Sequence, residues 1–185
     1  MAESCGFFDS ADNDLREYSA NIFAEYFRRF FKNGITTEGL KIVEADGMNI
    51  IEQSGYAVIQ GFFYKNDGDF ALQLDSSDPN LPRIDRAVLH LDMVSRKINL
   101  IIKKGNTSSA PVVPTLERDN NIYELGLAQI RINAGVTSIT AGNITDERLN
   151  TDVCGISSAV VHPSITISSN EPSNLIQGDA WIQTL

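Results

Sequence analysis

The sequence has few of the residues that usually mark catalysis or metal binding. Its 185 residues include two cysteines, Cys5 and Cys154, and two histidines, His90 and His162. These four residues are not grouped with the spacing of zinc ligands, so we expect no metal site, and no cofactor motif occurs. The two cysteines could form a disulfide, but buried free thiols in a reducing cytosol explain so small a number better.

Long apolar runs and basic clusters are also missing. No apolar run approaches the ~20 residues that a membrane-spanning helix needs. The stretch Met1–Cys5 lacks the basic and apolar regions of a signal peptide. The net charge of −9 argues against nucleic acid as a partner, because phosphates are neutralised by Lys and Arg. We therefore expect neither a membrane nor a nucleic acid among the partners.

The motifs of the common enzyme classes do not occur. The chain has no Gly-x-Ser-x-Gly, and the stretch 105–110 lacks the Gly-Lys-Ser/Thr ending of a phosphate loop. Its 24 acidic residues could supply a glycosidase pair, but no spacing singles out two of them. The acidic turn 67–69 is a poor calcium loop, since Asp78 stands where such a loop needs Glu. The sequence predicts a protein that is not an enzyme.

The strongest pattern is an amphipathic helix predicted from Ser19 to Gly34. At about 100° per residue, large apolar side chains fill one half of its circumference and polar ones fill the other. This half is wider than the stripe of somewhat over 100° that a surface helix commonly buries. The face either packs on its own domain or meets another chain. The interface candidates are Ile22, Phe23, Tyr26, Phe27, Phe30 and Phe31.

From residue 40 onward, apolar residues alternate with the period of two that is typical of β-strands. A hairpin is predicted around Asp46-Gly47, and Gly61 within a strand indicates a bend or a close backbone approach. In the meander strand 86–94, Ala87, Leu89, Leu91 and Met93 are predicted to point inward, and Arg86, Val88, His90 and Asp92 to point outward. The predicted strands cover residues 40–44, 48–52, 56–64, 70–74, 86–94, 98–103, 121–133, 136–140 and 178–183.

These patterns predict a mainly β fold, an antiparallel meander in a sandwich or barrel, with one N-terminal amphipathic α-helix. We divide the chain into an arm and docking helix (1–38), an antiparallel β domain (39–155) and an extended C-terminal segment with a short terminal strand (156–185). The charged run 83–86 is predicted to form a surface network that contributes little stability. His90 is predicted to face outward, at a solvated or interface position.

An ordered set of short segments runs through residues 6–155. Together they resemble the N-terminal module of tail-tip, baseplate and tail-fibre structural proteins from phages and prophages of Gram-positive bacteria. The stretch 171–183 is similar to a Pro…Gly-Asp-x-Trp segment of such tail proteins. The segments are Tyr18-Ser19-Ala20, Phe23-Ala24, Tyr26-Phe27, Asn33-Gly34-Ile35, Gly55-Tyr56-Ala57-Val58-Ile59-Gln60-Gly61, Tyr64-Lys65-Asn66, Arg83-Ile84-Asp85-Arg86, Val88-Leu89-His90-Leu91-Asp92, Arg96-Lys97-Ile98, Lys103-Lys104-Gly105, Tyr123-Glu124-Leu125, Leu127-Ala128, Ile144-Thr145-Asp146, Arg148-Leu149-Asn150 and Cys154-Gly155.

The resemblance implies a structural component of the virion tail that is assembled in the cytoplasm of the bacterial host. It implies a homo-oligomer, most often a trimer in such assemblies, that contacts other tail or baseplate proteins and attaches tail fibres or receptor-binding parts. It supplies no catalytic residues. The alternative is a carbohydrate-binding module for host cell-wall glycans, in which Tyr56, Tyr64, Trp181 and the loop 75–82 form a stacking platform.

Overall fold

The computed structural model describes residues 5–36, 39–159, 165–172 and 180–184 of the chain. Within them a single α-helix, α1 (Ala20–Arg28), precedes the strands. The predicted class, mainly β with antiparallel sheets and one N-terminal helix, is confirmed. The strands are β1 Gly34–Ile35, β2 Ile42–Glu44, β3 Asn49–Glu52, β4 Gly55–Ile59, β5 Phe62–Asn66, β6 Phe70–Gln73, β7 Arg83–Asp92, β8 Lys97–Lys103, β9 Ile122–Ile132, β10 Ile144–Asp146, β11 Ile165–Ser168 and β12 Ala180–Gln183.

The largest sheet has the strand order β10-β9-β7-β8, and its neighbouring strands are all antiparallel. Its β7–β8 pair is the meander that the alternating residues predicted. Between Ala87 and Val88 the register against β9 shifts, which leaves Leu127 without a cross-strand partner in a β-bulge. Two smaller antiparallel sheets have the orders β2-β3-β6 and β1-β4-β5, and the first contains the predicted Asp46-Gly47 hairpin.

The three antiparallel sheets share one apolar core. From β7 the core receives Ala87, Leu89 and Leu91, because side chains at alternate positions of a strand point to the same face. Ile50 of β3 and Ile59 of β4 reach the same core and are fully buried. The inward residues predicted for the meander are therefore correct.

The helix is shorter than the prediction of residues 19–34. It begins after Ser19 as expected, but it ends at Arg28. Phe31 then forms a β-bridge with Ala159, and the side chain of Asn33 accepts a hydrogen bond from the Gln60 backbone N–H at 2.7 Å. These partners from distant parts of the chain outweigh the weak local preference for helix, so the predicted helix end is wrong.

Two strand predictions are also wrong. The stretch 56–64 is a hairpin of β4 and β5 rather than one strand, because Gln60 and Gly61 adopt φ values of 52° and 79° that suit a tight turn. In the described stretch 136–140 no strand forms. There the backbone N–H of Ile139 donates to the carbonyl of Gly47 at 3.0 Å, so this segment packs beside the first hairpin as a loop.

The C-terminal part of the chain contains a parallel pair, β11 with β12. β12 confirms the terminal strand predicted at 178–183 for its residues 180–183. His162 and the Gly178-Asp179 step of the terminal segment lie outside the described residues.

Candidate interface on the aromatic helix

Helix α1 is joined to the β domain at a small residue, Ala24. This is the buried residue of the helix, at 2% exposure. Its backbone lies against the turn of the β4–β5 hairpin so closely that a Cβ at Gly61 would come within 1.9 Å of the Ala24 carbonyl oxygen. The hairpin turn therefore needs glycine for this contact as well as for its positive φ.

The described residues cover the apolar half of the helix only in part. The six interface candidates are each 41% to 47% exposed. We call this surface the aromatic face; it consists of Ile22, Phe23, Tyr26, Phe27, Phe30 and Phe31. Of the two alternatives from the sequence, packing on its own domain occurs in part, and the exposed remainder leaves room for contact with another chain.

The aromatic face extends onto neighbouring elements. Phe7 from the N-terminal arm is 44% exposed, and Phe63 of β5 is 76% exposed. Phe63 and Phe27 line the same groove of about 450 Å³ between the helix and the hairpin. With aromatic side chains of about 200 Å² each, the exposed area sums to about 750 Å². That is close to the ~800 Å² per partner of a standard protein interface and above the largest patch of a typical monomer.

Contacts between rings hold the aromatic face in a fixed arrangement. The ring of Phe7 stacks on Phe23 at 5.0 Å and meets Tyr26 edge-on at 4.9 Å. Tyr26 in turn contacts Phe30 at 4.8 Å. Such pairs contribute about 0.5–1.5 kcal/mol each beyond area burial. Because the rings are already ordered, docking of a partner would cost little side-chain entropy.

The sequence identified the helix residues, and the close backbone approach predicted at Gly61 is confirmed, but it did not mark Phe7 and Phe63 as parts of this surface. Phe7 precedes an acidic arm without any periodic pattern. Phe63 lay within the predicted strand 56–64, both faces of which are largely apolar, so alternation did not mark either face as exposed. The available signal was the pair of adjacent aromatics at Phe62-Phe63, since two neighbours in one strand point to opposite faces and one of them must face outward unless both faces are covered.

The predicted stacking platform for a carbohydrate is not assembled. Ala57 pairs with Tyr64 and Tyr56 pairs with Lys65, so the two tyrosines point to opposite faces of their hairpin. The Trp181 indole donates to the Ser168 carbonyl at 3.2 Å. Among the described side chains no ring contact joins these three residues, and this arrangement gives the alternative function no support.

The charged run 83–86 is buried, which corrects the prediction of a surface network. Arg83 binds Asp85 at 3.0 Å with both side chains almost fully buried. Arg86 binds Glu147 with two hydrogen bonds of 2.7 and 2.8 Å. The loop before β9 covers the face of the sheet on which Arg86 lies, since Arg86 donates a hydrogen bond to the Pro114 carbonyl. Alternation along β7 correctly placed Arg86 on the face opposite the core. It did not reveal that a loop covers that face.

His90 belongs to a second polar group on the same sheet. Its Nδ1 lies 2.9 Å from Oε1 of buried Glu124, and the Lys103 ammonium donates to Oε2 of the same carboxylate at 2.7 Å. The backbone N–H of Glu117 donates to Oε2 as well. Burial raises the pKa of Glu124, but these donors outweigh it and leave the pKa below its ordinary value. With both carboxylate oxygens occupied, the group is suited to holding the sheet together, and His90 is partly buried rather than solvated.

The described residues contain no group of three or more His, Cys, Asp and Glu side chains placed to hold a metal ion. Nor does α1, or any other helix in the part of the chain that is described, have the length and apolar character to cross a membrane. Searches of protein-family models, curated proteins and solved structures found no match to this chain. The ordered aromatic face therefore stands as the candidate functional surface.

Proposed function

We propose that this chain is a structural subunit of a phage tail or baseplate, in which it forms a homo-oligomer through the aromatic face and attaches tail fibres or receptor-binding parts. The observation that carries the association is the aromatic face itself, six large side chains that are 41% to 47% exposed although ring contacts join five of them. The kind of assembly rests on the sequence resemblance to tail proteins. The two parts of the proposal are tested separately.

The width of the aromatic face supports more than one neighbour for each helix. Within the helix, the apolar side chains from Ile22 to Phe27 cover about 140° of the circumference, and Phe30 and Phe31 extend this surface beyond the helix end at Arg28. The seam between two paired helices is narrower than this. The contact with the chain's own hairpin is made by Ala24, beside this arc and not within it. A ring of three copies gives each helix two neighbours, so we propose a trimer.

A structural role also agrees with the state of Asp85 and Glu147, two of the buried acids. Asp85 is bound by Arg83 and by the Gly105 backbone N–H, and Glu147 by Arg86 and Gln129. Carboxylates with their oxygens already occupied are poor candidates for a general acid or base, which needs a free position toward a substrate. Their bonds connect strands and loops instead.

Light scattering after size exclusion tests the association. We expect a mass near three times the 20.3 kDa of the chain, and a fall to the monomer when Phe27 and Phe30 are both changed to Asp. Exposed residues tolerate such changes, so the circular dichroism spectrum should be kept. Val112→Asp with Leu149→Asp is the matched control, because both side chains are exposed outside the aromatic face. A monomeric wild type, or a variant that keeps its mass, would contradict the proposed interface.

The tail assignment is tested on particles rather than on the isolated chain. Mass spectrometry of purified phage particles from the source culture should find this chain at a fixed ratio to the other tail proteins. Gold-labelled antibodies should bind at the end of the tail. An oligomer that is consistently missing from particles would overturn the assignment to the tail while leaving the association intact.

A further inference from the structure

Residues 8–18 form a closed loop ahead of α1. The hydroxyl of Tyr18 accepts a hydrogen bond from the Phe8 backbone N–H at 2.9 Å and donates one to the Phe8 carbonyl at 3.3 Å, which joins the two ends. Inside the loop, Ala11 and Asp14 exchange two backbone hydrogen bonds of 3.1 and 3.0 Å. The loop therefore has a defined shape although its residues 8–17 are exposed.

The tip of this loop is acidic, and we call residues 9–17 the acidic loop. It carries four carboxylates against one cation, Arg16, which is paired with Asp14 at 2.6 Å. The side chains of Asp12 and Glu17 are exposed. Leu15 is 85% exposed beside them. A loop of defined shape that combines charged side chains with the exposed Leu15 has the composition of a surface that contacts another protein.

A groove of the opposite charge lies at the other end of α1. Two adjoining clefts of about 330 and 360 Å³ share the lining residues Arg28, Gln60, Arg118 and Tyr123. Lys32 adds a third cation to the lining. Against these three cations, the described lining contains one carboxylate, that of Asp119. We call this surface the basic groove, and it stands out in a chain of net charge −9.

Arg118 is a fixed charge in the basic groove. It donates to the carbonyls of Glu124, Asp152 and Val153 at 3.1, 2.9 and 2.8 Å, and its guanidinium lies 5.1 Å from the ring centre of Tyr123. Three of its five N–H groups are used in this way, so two remain for a ligand. The groove thus presents a cation that needs no rearrangement before it meets an anionic partner.

We infer that, in the homo-oligomer proposed above, the acidic loop of one copy lies in the basic groove of the next copy. The two surfaces have opposite charge and lie at opposite ends of a nine-residue helix, about 13 Å apart along its axis. The loop is fixed at the N-terminal end by Tyr18 and by the stacking of Phe7 on Phe23, so it is held away from its own groove. A neighbouring copy can meet it without breaking these contacts.

This contact joins two different surfaces, so it is heterologous. A heterologous contact that closes gives a ring in which every loop fills a groove and none is left over. Phe31 lines both the basic groove and the apolar groove beside the aromatic face, so the two contacts are continuous. The aromatic face then supplies most of the affinity, and the charges fix which end of each neighbour it meets.

Charge reversal on each side tests the pairing. The loop variant is Asp12→Lys with Glu17→Lys, the groove variant is Arg28→Glu with Lys32→Glu, and a combined variant carries all four changes. We expect each double variant to weaken association at least about tenfold by sedimentation equilibrium, through like-charge contacts. The combined variant should return to within about threefold of the wild type. Asp46→Lys with Asp69→Lys, which changes the net charge as the loop variant does, should have no effect.

Any result other than these overturns one identified part of the proposal. If the reversals leave association unchanged while Phe27→Asp with Phe30→Asp still dissociates the protein, the loop-to-groove contact is wrong and the proposed oligomer stands. If both double variants weaken association and the combination does not recover, the two surfaces are not partners. In that case inorganic polyphosphate, titrated against the wild type and the groove variant, would show whether the groove takes a free polyanion. A wild type that stays monomeric removes both proposals.

Discussion

Tyr64 donates its hydroxyl hydrogen to Oε2 of Glu52 at 2.7 Å, across the gap between β5 and β3 of two different sheets. Asn66 donates to the same oxygen at 3.1 Å. The Glu52 side chain is fully buried, and its Oε1 has no hydrogen-bond partner among the described residues. Burial raises the pKa of Glu52 to about 7, and the two donors offset this only in part.

The raised pKa predicts a pH-dependent contribution of Glu52 to the free energy of unfolding. Between an ordinary pKa near 4.5 and the folded value near 7, the folded chain binds more protons at this carboxyl than the unfolded chain does. The contribution is therefore fully present below about pH 4.5 and is lost as the pH rises through 7. Its size is at most roughly 3.4 kcal/mol, since a pKa difference of one corresponds to about 1.36 kcal/mol.

The variant Glu52→Gln isolates this contribution. Urea unfolding from pH 5 to pH 8 should give a wild type that loses stability relative to the variant as the pH rises. Glu44→Gln, at an exposed carboxylate of the neighbouring β2, is the control and should leave the pH profile of the wild type unchanged. A wild type and a Glu52→Gln variant with parallel profiles would show that the buried carboxyl titrates normally.

The buried pair of Arg83 and Asp85 should be far more sensitive than a surface pair. Removing the acid by Asp85→Ala leaves the guanidinium uncompensated in the interior, which typically costs about 3–5 kcal/mol. Thermal and urea unfolding measure the loss. Asp67→Ala removes the partner of exposed Lys65 and should cost well under 1 kcal/mol. Equal losses for the two variants would mean that the Arg83–Asp85 pair is solvated.

The alternation of residues predicted the strands well where a strand has one apolar face. In β7 it placed Leu89 and Leu91 in the core, and the structure agrees. It also predicted that Val88 points outward, yet this residue is fully buried. A period of two distinguishes the two faces of a strand but does not reveal whether the face opposite the core is covered. In β7 that face is covered by the loop that contacts Arg86.

Predictions from local sequence were wrong where residues far away in the chain form hydrogen bonds with the same side chains and backbone groups. Asn33-Gly34 has the composition of a helix end, but Asn33 binds the Gln60 backbone and Gly34 pairs with Val58. The width of the aromatic face could be read from the sequence for Ile22 to Phe27, which follow the helical period, but not for Phe30 and Phe31, which lie beyond the helix end at Arg28. The exposure of this face could not be read, since that depends on whether another part of the chain folds over it. Among the described residues, Phe7 of the arm and Phe63 of the hairpin do so in part.

The two cysteines should differ sharply in reactivity. Both are free thiols; Cys5 is exposed, which corrects the expectation that both are buried, and Cys154 is buried. Burial raises the pKa of the Cys154 thiol to about 11, so little thiolate is present near pH 8. Ellman's reagent should therefore modify about one thiol per chain quickly in the native protein and both in urea. Cys5→Ser should remove the fast phase; a fast phase that survives in this variant would show that Cys154 is accessible.

The contact of Ala24 with Gly61 predicts how the aromatic face is held in place. Gly61→Ala puts a methyl group within 1.9 Å of the Ala24 carbonyl oxygen and also strains a backbone at φ 79°, so the helix or the hairpin turn must move. We expect a loss of about 2 kcal/mol or more in unfolding free energy, as for other overpacked sites.

Because the same contact positions the six exposed side chains, Gly61→Ala should also weaken association, measured by light scattering at concentrations where the monomer stays folded. Gly68→Ala is the matched control, since a Cβ there meets nothing within 4 Å. It should leave both the stability and the mass of the protein near those of the wild type. If the Gly61→Ala protein is clearly destabilised but still associates fully, the aromatic rings hold their arrangement without support from the hairpin. The interface would then depend on the ring contacts of Phe7, Phe23 and Tyr26 alone.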